Sequence, residues 1–124
     1  MRLALIAIFG AAGTLARYGL QGVVQFRTAS TFPLGTLLVN LTGCFLLGLI
    51  GQFTLNRMVI SPDWRVAIAV GFFGGYTTFS TFSLDAVLLY ERSELGLAAL
   101  YVVASVLLSI AGLVAGLWIV RTFA

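Results

Sequence analysis

Polar residues punctuate this chain rather than pattern it. Four apolar stretches stand out, roughly 3–24, 33–55, 66–89 and 95–120. Each is long enough to cross a membrane as a helix, because about 30 Å of hydrocarbon takes about 20 residues. Short polar breaks separate them. Pro33 suits the first residue of a helix, where its missing N–H costs nothing. Ser61-Pro62-Asp63 reads as a turn leading into the third stretch, and Glu91-Arg92-Ser93-Glu94 as a short charged loop. The spans use about three quarters of the 124 residues. The pattern therefore predicts an all-α integral membrane protein, a single four-span membrane domain over 1–124 with no room for a soluble one.

Composition agrees. Hydrophobic residues make up 60% and charged residues 9%, where a soluble domain has roughly half and about a quarter. A small soluble fold cannot cover its surface with so few polar groups, and disorder would leave too much apolar surface in water. The charges are seven arginines, no lysine, and Asp63, Asp85, Glu91 and Glu94. The net charge of +3 is dispersed, with no basic tract for nucleic acid. There is no histidine and one cysteine, Cys44. Disulfide frameworks, His/Cys metal sites and imidazole-dependent catalysis are excluded. The N-terminus starts like a signal peptide, but its apolar run is too long for one and Arg17 interrupts it, so it reads as the first span. Four spans place both termini on one side, with Arg2, Arg57, Arg65 and Arg121, against Arg27 and Arg92 opposite. That is a weak bias toward termini inside.

A few polar residues do not belong in lipid. The third span carries Gly71-Phe72-Phe73-Gly74-Gly75-Tyr76-Thr77-Thr78-Phe79-Ser80-Thr81-Phe82-Ser83, glycine-rich and then hydroxyl-rich. Gly-Gly followed by Thr-Thr weakens a helix near the middle of the span. Freed backbone groups at membrane depth must be satisfied by protein, water or an ion, and broken helices often build ion sites. Against this stands close packing through Gly71 and Gly75; the density of hydroxyls favours the ion site. In the fourth span Tyr101, Ser105 and Ser109 are four apart and share a stripe, extended by Ala98, Gly112 and Gly116. They either line a wet path or bond and pack between helices. Thr36 and Asn40 share a face of the second span, and Asn40 either orients a helix break or donates to an anion. Arg17 in the first span either serves function or snorkels. Asp85 is expected to pair with an arginine or to line a pore mouth, the salt bridge being the simpler expectation. Cys44 reads as a small buried apolar residue.

Hydroxyls, an amide, an arginine and phenylalanine edges all offer positive electrostatic character. A small anion stripped of water needs such donors. A proton-coupled small-molecule exporter, the main competing reading, would want a carboxylate midway along a helix facing its substrate. A non-transporting membrane subunit that only packs helices is a third reading.

Three motifs, Gly13-Thr14-Leu15-Ala16-Arg17-Tyr18, Pro33-Leu34-Gly35-Thr36-Leu37-Leu38-Val39-Asn40 and the third-span stretch from Gly71 to Ser83, together resemble the Fluc (CrcB) fluoride ion channels. The resemblance covers essentially the whole chain, and its third motif is highly specific. It implies an antiparallel, dual-topology homodimer in the plasma membrane (the inner membrane of a Gram-negative cell) that passively exports fluoride. Two fluoride pathways would run along the dimer interface, lined by Asn40, Phe79, Phe82, Ser80, Thr81, Tyr101, Ser105 and Ser109. A central structural sodium ion would sit on the backbone carbonyls of Gly74 and Thr77. Arg17 matches a family arginine with a structural or anion-attracting role. Asp85 stands where relatives often carry glutamate. The resemblance also recasts the near balance of arginines as what dual topology requires.

Overall fold

The computed structural model describes residues 1–56 and 60–123, the side chains of 53–56 excepted, and all its regular elements are helical. Arg57 lies outside the described residues. Helix α1 spans Arg2–Thr28, α2 spans Leu34–Asn56 and α6 spans Leu95–Phe123. These three, α2 over Leu34–Gln52, are long and apolar enough to cross a membrane. The third pass is in pieces: α3 (Pro62–Val66), π-helical turns over Ala67–Phe73, α4 (Gly74–Tyr76) and α5 (Phe79–Glu91). The expected break is therefore present, and it leaves neither arm of this pass at the about 20 residues a straight span takes. The pass also starts four residues before its sequence-based estimate, because Ser61 stands at the N-cap with Pro62 in the first turn.

Small residues set the packing. A Cβ on Gly71 would lie 2.9 Å from the Ile6 carbonyl oxygen, and one on Gly75 2.5 Å from that of Gly10. Both glycines thus seat the first arm of the third pass against α1 at backbone distance. Helices α2 and α6 run parallel, with Leu41 against Gly112 and Phe45 against Gly116. Packing and ion-site chemistry, posed as alternatives from sequence, turn out to occupy different residues: the glycines pack, and the hydroxyls gather at the break.

Leu37, Phe82, Leu89 and Tyr101 form one buried cluster of the core. Among the described residues the one ion pair is Arg2 Nε with Asp63 Oδ1 at 2.7 Å, which ties the N-terminus to the start of the third pass.

Candidate functional site

The break is built by diverted hydrogen bonds. Thr77 (φ −81°, ψ 157°) and Thr78 (φ −149°, ψ 119°) are extended. In an unbroken helix the N–H of Thr78 would serve the carbonyl of Gly74. Instead it donates to Asn40 Oδ1 at 2.8 Å, while Asn40 Nδ2 donates to the Thr78 carbonyl at 3.0 Å. The N–H of Thr81, the ordinary partner of the Thr77 carbonyl, donates to Thr78 Oγ1 at 3.1 Å as an N-cap. Arg17 Nε donates to the Gly75 carbonyl at 3.1 Å. The polar groups thus divide the work of the break. Asn40 replaces a peptide across the gap, Thr78 restarts the helix, and Arg17 caps one freed carbonyl. The carbonyls of Gly74 and Thr77 lose their usual donors. Oxygen atoms freed in this way suit a hard monovalent cation, so these residues fit the expected sodium.

A cavity of about 310 Å³ opens beside the break. Asn40 and Cys44 of α2, Phe79 and Phe82 of α5, and Ser105 and Ser109 of α6 form its walls. The Oγ atoms of Ser105 and Ser109 are buried; that of Ser105 makes no hydrogen bond, and that of Ser109 has the Cys44 thiol beside it. A buried hydroxyl left unpaired costs about 1–3 kcal/mol, so Ser105 on the wall of a cavity needs a reason. Asn40 engages one of its two amide hydrogens at the break, and an amide nitrogen carries two. No acid or base lines this cavity.

Ser80 and Thr81 stand elsewhere. Ser80 is exposed, with its Oγ 3.3 Å from Thr78 Oγ1, and Thr78 Oγ1 donates to Thr81 Oγ1 at 3.0 Å. Both belong to the capping cluster and not to the cavity walls of this subunit. Phe79 is 78% exposed while Phe82 is buried, their ring centroids 5.4 Å apart. Phe82 in turn packs on Tyr101 at 5.3 Å.

Tyr101 is fully buried and lines neither cavity; it adjoins, through Asp85, a second cavity of about 450 Å³ walled in part by Tyr18, Gln21, Thr36, Asp85 and Arg92. Asp85 Oδ2 accepts from Thr36 Oγ1 at 2.7 Å and from Tyr101 OH at 3.2 Å, and Gln21 Nε2 donates to Thr36 at 3.0 Å. Among the described residues the salt bridge expected for Asp85 is not formed: two hydroxyls, Thr36 from α2 and Tyr101 from α6, bond its Oδ2 instead. Phe82, Tyr101 and Asp85 thus connect the two cavities side chain to side chain. Cys44, taken as apolar filler from sequence, is a cavity wall. The available signal was spacing, since Thr36, Asn40 and Cys44 fall on one stripe of α2 at intervals of four.

A sequence profile described as "CrcB-like protein, Camphor Resistance (CrcB)" matches residues 4–117. The chain belongs to the CrcB family. CrcB relatives match it nearly end to end. A protein of Nitrobacter hamburgensis named fluoride-specific ion channel FluC 2 is 43% identical over 121 residues, covering 98% of each chain. Proteins named fluoride-specific ion channel FluC from Agrobacterium fabrum and Geobacter sulfurreducens are 48% and 46% identical, each covering 94% of both chains. With three helices of membrane-spanning length, this CrcB chain is a multi-pass membrane protein.

Proposed function

We propose that this chain is a fluoride-selective channel of the plasma membrane, passing fluoride outward down its gradient and lowering its toxic accumulation in the cytoplasm. It is a channel and not an enzyme. The observation that carries the reading is the unpartnered buried hydroxyl of Ser105, on a residue that lines one cavity together with Ser109, Asn40, Phe79 and Phe82. Neutral O–H and N–H donors replace the hydration shell of a small anion without a fixed charge that would trap it. Ring edges of Phe79 and Phe82 add the positive rim of the aromatic quadrupole. The names of the relatives support the same ion.

The working unit is an antiparallel, dual-topology homodimer in the bilayer. Gly74 and Ser80 are exposed on the break face, a Cβ on Gly74 would meet nothing within 4 Å, and Phe79 is bare beside them. Backbone freed from a helix is not tolerated against lipid, so protein must cover this face. A second, inverted copy brings the carbonyls of Gly74 and Thr77 from both chains around one two-fold axis, four oxygens for a structural sodium ion. Bound there, sodium supplies the positive charge that satisfies the freed carbonyls. Two pathways, one per subunit, then run along the interface, to which the Phe79, Ser80 and Thr81 cluster of the opposite copy contributes.

Fluoride efflux from liposomes holding the purified protein tests this. Electrode traces are expected to show rapid fluoride loss without a proton gradient while chloride is retained. No fluoride release from folded protein refutes the channel, and release that requires a proton gradient favours the exporter.

A further inference from the structure

Cys44 occupies a position that the pathway residues do not account for. Gly43, its neighbour, has no side chain where a Cβ would lie 2.5 Å from Thr77 Cγ2 and 2.9 Å from the Tyr76 ring. That absence lets α2 lie directly on the break. The next residue, Cys44, then projects into the seam between the break and α6, where it walls the cavity. The parallel register of α2 and α6, fixed by Leu41 against Gly112 and Phe45 against Gly116, puts Cys44 across from Ser109, its polar neighbour. Asn40 and Cys44 on one helix thus oppose Ser105 and Ser109 on the other, each pair separated by one turn. Ser105 is 5% exposed, lines the same cavity as Cys44, and its hydroxyl has no partner. A side chain that buried and unpaired marks the space beside the thiol as a place for a ligand.

We infer that Cys44 is a wall residue of the anion path and a modification site for small thiophilic electrophiles, which close the path when they attach to it. The thiol is a weak donor and adds one soft, polarizable group to a row of hydroxyls and an amide. The cavity opens on the side of Phe79, where the proposed pathway runs along the dimer interface, so a small reagent enters by the ion path itself. With methylmercury cation the S–H bond breaks, an S–Hg bond forms, and the proton leaves to water, with no change of oxidation state. The adduct then fills space that a passing anion needs, between Asn40 and Ser109.

The flux readout rests on the fluoride-channel reading, and the test separates the two. The wild-type protein and Cys44→Ser are reconstituted in liposomes, treated with methylmercury, and each is compared with its own untreated fluoride efflux rate. Mass spectrometry counts the adducts, and a dithiol then strips the mercury. Wild type is expected to gain one adduct, to lose flux by roughly tenfold or more, and to recover it with the dithiol. Cys44→Ser gains no adduct and keeps its own rate. Complete labelling of wild type with unchanged efflux overturns the inference while leaving the channel standing. So does failure to label in the bilayer when the denatured protein labels. Untreated wild type that releases no fluoride refutes the channel instead, and labelling in the bilayer still decides whether the thiol faces water-filled space.

Discussion

Ser105 keeps a hydroxyl where no protein group answers it, and that makes it a test of function against stability. Removing an unsatisfied buried hydroxyl relieves a cost of about 1–3 kcal/mol. Ser105→Ala is therefore expected to hold or raise the thermal midpoint in detergent while fluoride efflux falls, the trade-off of a residue retained for activity. A lowered midpoint with normal flux would make it an ordinary packing residue. Asn40 predicts the opposite pairing. Asn40→Ala removes both bonds to Thr78, so stability should drop by about 1–3 kcal/mol together with flux. Arg17 holds the Gly75 carbonyl; Arg17→Ala should lower the midpoint more than Arg17→Lys, which keeps a donor of shorter reach. Asn40, Ser105 and Ser109 were legible in the sequence because an amide or hydroxyl is costly in lipid. Cys44 was not, since a thiol is as common in a core as an apolar residue. The partner of Asp85 was missed because an arginine is the usual mate of a buried carboxylate, and here hydroxyls from two other helices arrive first.

At the scale of elements, the third pass works because one arm packs and the other restarts. Gly71 and Gly75 clamp the first arm to α1, and Thr78 caps the second. Gly75→Ala would drive a methyl to 2.5 Å from the Gly10 carbonyl, and overpacking of this kind costs about 1–3 kcal/mol. The expected outcome is a lower thermal midpoint and a disturbed break, checked by thermal unfolding in detergent alongside efflux. The sequence foretold a weak point near Gly-Gly-Tyr-Thr-Thr from local propensity. It could not foretell where the helix parts, because that depends on Asn40 from α2, 38 residues away. The π-helical turns over Ala67–Phe73 were equally hidden: apart from Gly71 their residues are ordinary helix and strand formers, and the widened turns appear only with the packed pass.

At the scale of the whole molecule, the proposed second, inverted copy covers the open break and the bare Phe79. Exchanging sodium for a larger monovalent cation during purification should shift the assembly toward monomer, read by light scattering, and an unchanged dimer would count against the carbonyl site. Phe79→Ile and Phe82→Ile should each cut efflux with the dimer intact, since they remove ring edges and keep apolar bulk. Neutral donors that choose the anion are the centre of the proposed mechanism. Their most direct test is the reversal potential of the purified protein in a planar bilayer with fluoride on one side and chloride on the other. The expected potential tracks the fluoride gradient and ignores a pH difference across the bilayer. A potential that follows chloride, or that moves with pH, would contradict selection by neutral donors.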